Sequence, residues 1–127
     1  MKAIQGFELT AKDLSVVGSD KRARLAARIA WVYVNGSELR ESLLILTDRR
    51  LIICKQRLLG KPKADFAVTW PEVVTVSSGP WRGTYNPLIQ LDVQTKRGTV
   101  GLAVETLHAP DVEGAIREGY LSNPGHS

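Results

Sequence analysis

The chain has 127 residues, 43% of them hydrophobic and 24% charged, with a formal net charge of +4. That length sets one domain with a single core, and the balance of apolar and charged residues excludes a disordered or repetitive chain. No apolar run reaches the ~18 residues of a membrane-spanning helix, and residues 1–14 lack the apolar stretch of a secretory signal, so the expected location is cytoplasmic.

Residues 1–18 carry scattered apolar side chains, Phe7, Leu9, Leu14, Val16 and Val17, and a short helix is expected over 10–16, docked on the sheet that follows. A second helical start falls at Ser19. Ser19 caps, Asp20 suits the positive end of a helix, and Lys21 to Ala27 are tolerant helix formers. Residues 1–27 are therefore read as an N-terminal helical extension. Lys21, Arg24 and Arg28 share one face of it, but Leu25 is its single sizeable apolar anchor, so that face is read as solvated rather than laid on lipid.

Strand character begins at residue 28. Ile29 to Val34 alternates large and smaller apolar side chains, with β-branched and aromatic types dominant, and Trp31 is placed in the core. Asn35-Gly36 follows, a hairpin turn because both residues accept positive φ. Next come two four-residue apolar runs, Leu43 to Leu46 and Leu51 to Cys54, flanking the polar Thr47-Asp48-Arg49-Arg50. Runs this short, bounded by polar residues, fit buried strands in an antiparallel hairpin, at about 39–47 and 50–56. Cys54 is the chain's one cysteine and ends such a run, so it is read as a small buried hydrophobe.

Residues 57–64 form a polar loop with Gly60 and Pro62. A fourth strand is expected at 65–70, with Phe66, Val68 and Trp70 on one face, and after Pro71 a fifth at 72–77. A long loop from Ser78 to Pro87 precedes strands at 88–93, with Ile89, Leu91 and Val93 inward, and 99–104, joined by Lys96-Arg97-Gly98. Pro110 opens a helix with Asp111 and Glu113 in its first turn, and Val112, Ala115, Ile116 and Tyr120 fall on one stripe. Residues 122–127 are read as a disordered tail. The expected class is mainly β (α+β): a seven-stranded antiparallel sheet, bent or partly closed into a barrel, capped by a C-terminal helix.

Leu46-Thr47-Asp48-Arg49-Arg50-Leu51-Ile52 resembles the second hairpin of bacterial pleckstrin-homology-like (PH-like) domains. The later order is similar too: Leu58-Leu59-Gly60 in a loop, a Val-rich strand, then Lys96-Arg97-Gly98 at a turn. The resemblance covers roughly residues 28–120 and defines a PH-like domain over 28–121. It implies the seven-stranded split barrel and helix, and a scaffold reused for lipid, peptide and protein binding. One departure stands out. The first hairpin loop, residues 35–41, holds Arg40 against Glu38 and Glu41, where phosphoinositide-binding members place several basic residues.

Between Arg49 and Lys63 lie Arg49, Arg50, Lys55, Arg57, Lys61 and Lys63 with no acidic residue among these six positions' basic run. They solvate a hairpin tip and an edge strand, or attract an anionic membrane or acidic partner. Trp81, Arg82 and Tyr85, on a Gly/Pro-rich loop, are the residue types of interface hot spots; the other reading folds Trp81 back over the barrel end. No catalytic residue emerges: His108 and His126 are isolated, and Gly79 to Gly83 lacks a phosphate-cradling ending. No metal site or cofactor is expected, and nucleic acid is disfavoured because the basic residues are not interleaved with exposed aromatics. The expected function is a non-catalytic cytoplasmic module that binds another protein or itself. An exposed strand edge and the loop of Trp81, Arg82 and Tyr85 supply its surface. Peripheral binding to anionic phospholipid through the 49–63 cluster is the alternative.

Overall fold

The computed structural model describes residues 2–4, 23–55, 63–80 and 88–121. The described strands are β1 (Lys2–Ile4), β2 (Ala23–Val34), β3 (Ser37–Thr47), β4 (Arg50–Lys55), β5 (Lys63–Thr69), β6 (Val73–Pro80), β7 (Leu88–Thr95) and β8 (Gly98–Glu105). A 3-10 turn, Trp70–Glu72, joins β5 to β6, and helix α1 (Ala109–Leu121) follows β8. Hydrogen bonding orders the strands β5-β4-β3-β2-β8-β7-β6, with β1 beside β2. All pairs are antiparallel except β1–β2, which is parallel. The expected seven segments are strands, and β1 makes the described sheet eight-stranded.

Two antiparallel arms share β2. One edge of β2 pairs with β3 along nearly its whole length. Its other edge pairs with β1 over Leu25 to Ala27 and with β8 only over Trp31 to Val34. The inward side chains of β2 change parity on the way, from Leu25, Ala27 and Ile29 to Val32 and Val34. Such a switch bends a strand from one sheet into another. It also corrects the reading of Trp31: past the switch Val32 is the buried position, and Trp31 is half-buried.

The turns follow their sequence. Asn35 and Gly36 both take positive φ, 52° and 84°. Asn35 Oδ1 accepts from the Thr99 amide at 3.0 Å while the Asn35 amide donates to Thr99 O at 2.9 Å, tying this turn to the start of β8. Gly98, at φ +141°, lies so close to the Asn35 amide group that a Cβ there would collide with it.

The expected helix from Ser19 to Ala27 is corrected over its described part. Ala23 to Ala27 open β2, where Leu25, Ala26 and Ala27 are buried between β1 and β3. Tertiary burial outweighs the weak helix preference of alanine-rich sequence. The expected helix over 10–16 and the tail over 122–127 lie outside the described residues.

The main core lies between the arms. Leu25, Ala27, Ile29, Leu44, Leu46, Leu51, Ile53 and Val68 from one arm meet Val76, Leu91, Val93, Val100, Leu102 and Val104 from the other. Helix α1 covers this core with Ala109, Val112, Ile116, Gly119 and Tyr120. A second cluster, Ala26, Leu43, Ile45, Ile52 and Cys54, lies on the opposite face of the β2–β5 arm. The two apolar runs therefore alternate between two cores, which is why they are continuous instead of alternating with polar residues. Cys54 is buried there, as expected.

The barrel is not closed. β5 pairs with β4 alone and β6 with β7 alone among the described strands. These edge strands are nevertheless consecutive in the chain, so the sheet curls until their ends come within the reach of Trp70–Glu72. That turn touches both arms: the Trp70 amide donates to Arg49 O at 3.1 Å, and Glu72 O accepts from the Lys96 amide at 2.8 Å. The Trp70 ring is fully buried, and its Nε1 donates to Thr47 O at 3.0 Å.

Helix α1 lies against this ring at Gly119, where a Cβ would come within 2.5 Å of Trp70 Cζ2. Gly114, on the same helix, has nothing within 4 Å of an added Cβ. Gly119→Ala is therefore expected to lower unfolding stability by about 1–3 kcal/mol, and Gly114→Ala to raise it by about 0.5–1 kcal/mol. Urea unfolding of the two variants checks both signs.

Candidate interaction surface

The Thr47-Asp48-Arg49-Arg50 tetrapeptide is first a turn. The buried Thr47 Oγ1 accepts from the amides of Arg49 and Arg50 at 3.0 and 2.9 Å, and so fixes the β3–β4 connection. This leaves Arg49 exposed and Arg50 half-buried at one end of the arm. Lys55 closes β4 at the other end, about 17 Å away at ~3.4 Å per residue. There Lys55 is the direct ladder partner of Lys63, the first residue of β5. Arg57 and Lys61 lie in the connection between them, outside the described residues. The basic run is therefore split by the length of a strand, with Arg49 and Arg50 apart from Lys55 and Lys63.

The loop with Trp81, Arg82 and Tyr85 also lies outside the described residues. The strand that leads into it is described. β6 is a sheet edge, and Ser77, Ser78 and Pro80 along it are exposed. Helix α1 guards part of that edge. Arg117 Nη2 donates to Val76 O at 3.0 Å, and its Nε lies 3.5 Å from Glu113 Oε2. Farther along, Pro80 has no amide to offer a neighbouring strand. Among the described strands the open part of the edge is thus short, Ser77 to Gly79, and in sequence it precedes the loop of Trp81, Arg82 and Tyr85. Sequence reasoning missed Arg117, although the spacing of Glu113 and Arg117, four residues apart on a helix, is the mark of such a pair.

The sharpest electrostatic feature stands at the opposite end of β6. Glu72 Oε1 accepts from the Thr69 amide at 3.0 Å and from Thr69 Oγ1 at 2.8 Å, while Arg97 Nε donates to Oε2 at 2.7 Å. The Arg97 guanidinium first, and the Thr69 bonds next, lower the Glu72 carboxyl from an ordinary 4.5 to about 2. The group joins the turn to the β7–β8 connection. Its role is structural.

Among the described residues no group of three or more His, Cys, Asp or Glu side chains could hold a metal ion. His108 Nε2 lies 3.9 Å from Glu105 Oε2. A groove of about 390 Å³ runs between Leu25 and the first turns of α1, past Pro110 and Ala115, with Arg24 and Glu118 at 3.6 Å on its rim. It opens to solvent beside the helix. No helix among the described residues is long and apolar enough to cross a membrane.

No protein-family model matches the chain, and no curated protein matches it. Solved structures do. A chain of the Vav1 exchange factor, described by the structural role of its PH and C1 domains, superposes with a TM-score of 0.52 at 16% identity over 91% of this chain. A second Vav1 chain, inhibited by an allosteric inhibitor, gives 0.53 at 12% identity over 95%. This chain spans 28% and 29% of the length of those two chains. Likeness at such identity concerns the fold alone, which is mainly β with a C-terminal helix and PH-like.

Glu72 also carries a pH test. Its folded pKa lies below its unfolded value, so the ionised carboxylate stabilises fully above pH 4.5 and loses that contribution as pH falls toward 2. Glu72→Gln is expected to cost about 1 kcal/mol at neutral pH. The gap from the parent chain should close between pH 4.5 and about 2 in unfolding measured across pH. A gap that ignores pH contradicts the assignment.

Proposed function

We propose that the chain is a non-catalytic binding module of the bacterial PH-like kind, working in the cytoplasm, that captures another protein or a second copy of itself. The surface is the open β6 edge from Ser77 to Gly79 together with the loop bearing Trp81, Arg82 and Tyr85. The observation that carries this reading is that β6 is an edge strand, exposed at Ser77 and Ser78, that leads directly into that loop. An extended segment added there gains main-chain hydrogen bonds from the edge, and aromatic side chains supply the anchoring area. The PH-like fold agrees with a scaffold whose loops do the work.

A second reading is favoured by the pairing of Lys55 with Lys63 across the ladder. With Arg57 and Lys61 between them in sequence, this end of the β4–β5 hairpin would meet an anionic membrane, at about 1 kcal/mol per basic side chain.

Light scattering across protein concentration, beside co-sedimentation with phosphatidylserine-containing vesicles at low and physiological salt, separates the two. Under the first reading the mass rises with concentration. Replacing Trp81 and Tyr85 by Ala then weakens association by about 30-fold or more, with the circular dichroism unchanged. Association indifferent to both substitutions overturns the proposed surface. Under the second, vesicle binding falls steeply with salt and with loss of Arg57 and Lys61, and salt-insensitive binding overturns it.

A further inference from the structure

The two described edges of the sheet differ in charge. β5 carries Lys63 and Asp65, whereas β6, from Val73 to Pro80, has no charged residue. Charges on an edge strand discourage pairing with another copy, and β6 lacks that protection. Ladder register fixes which of its backbone groups face outward. Lys96 and Arg97 form a two-residue turn, so Thr95 and Gly98 are a hydrogen-bonded pair. Alternation then turns Val93 and Leu91 toward β8, and turns Asp92 and Gln90 toward β6, where they meet Ser77 and Gly79. Val76, Ser78 and Pro80 therefore point their backbone groups away from β7. The bond from Arg117 Nη2 to Val76 O, at 3.0 Å, agrees with that direction. The open edge thus presents the Val76 N–H, both groups of exposed Ser78 and the Pro80 C=O, since proline has no N–H.

We propose that two copies of the chain pair antiparallel along β6, with Ser78 of one opposite Ser78 of the other. This deepens the reading given under the proposed function and rests on its self-association form. The pattern of outward groups is self-complementary in this register. Each Ser78 N–H donates to the Ser78 C=O of the second copy, and each Val76 N–H donates to the second copy's Pro80 C=O. Val76 O then faces a proline that has no N–H, and Arg117 of its own chain supplies the missing donor. Every outward group from Val76 to Pro80 is satisfied. Sliding the pairing by two residues one way sets the Ser78 C=O against proline, with no donor. Sliding it the other way makes the Ser78 N–H compete with Arg117 for Val76 O. The preferred register has a two-fold axis, so the assembly closes at the dimer.

Light scattering of the full chain at up to about 1 mM should show a mass that rises reversibly with concentration and stops at the dimer. Ser78→Lys sets like charges directly opposite each other and should weaken the dimer about tenfold or more, with the circular dichroism unchanged. Arg117→Ala leaves Val76 O without a donor and should weaken it about fivefold. Adding Pro80→Ala to that variant should restore the parent affinity, because the alanine N–H then donates to Val76 O. Ser78 is exposed, so Ser78→Lys decides alone if Arg117→Ala fails to fold. A chain that stays monomeric overturns the inference and leaves the proposed surface to a different protein. A dimer that ignores Ser78→Lys also overturns it; if that dimer still responds to Ala at Trp81 and Tyr85, the broader reading stands. Loss at Arg117→Ala that Pro80→Ala does not rescue overturns the register.

Discussion

The structure depends on the turn Trp70-Pro71-Glu72, which clasps a sheet that hydrogen bonding leaves open. Its first residue is bonded to the β3–β4 connection and its last to the β7–β8 connection, so one short turn holds an end of each arm. The Trp70 ring fills the space between the arms, and its N–H satisfies the carbonyl of buried Thr47. Thr47 in turn holds the amides of Arg49 and Arg50. Gly119 lets α1 approach the same ring. A larger residue at Gly119 would move the helix, and with it Arg117, away from the β6 edge. Core packing thereby sets how much of that edge stays accessible.

Burial on both faces is the second constraint. Fully burying a Leu or Ile side chain contributes about 1.5–3 kcal/mol relative to leaving it exposed. The β2–β5 arm collects this contribution on its inner face against α1 and the other arm, and again on its outer face. An arm with both faces occupied has only edges, turns and loops left for recognition. On this arm the two ends of the β4–β5 hairpin are what the constraint leaves exposed to a partner.

Much of the fold is legible in the sequence because its strongest signals are local. Asn35-Gly36 takes the two positive φ angles that its residue types allow. Pro110 stands in the first turn of α1, and Val112, Ile116 and Tyr120 are buried on the stripe that their spacing describes. The errors come from non-local effects. Ala23 to Ala27 have good helix formers yet join β2, because β1 and β3 flank them. Trp31 has the size of a core residue, but a bend in β2 hands the inward position to Val32. The candidate sites were legible only as residue types. Nothing local in the run from Arg49 to Lys63 reveals that a strand separates its ends, and nothing in Arg117 alone reveals that it reaches Val76 O.

Equilibrium urea unfolding of Trp70→Phe tests the clasp most directly. Phenylalanine keeps an aromatic ring but fills less space and cannot donate to Thr47 O. The account predicts a loss of about 2–4 kcal/mol, from the cavity and the lost Trp70–Thr47 hydrogen bond together. A loss of less than about 0.5 kcal/mol, the range of an ordinary surface substitution, would contradict it.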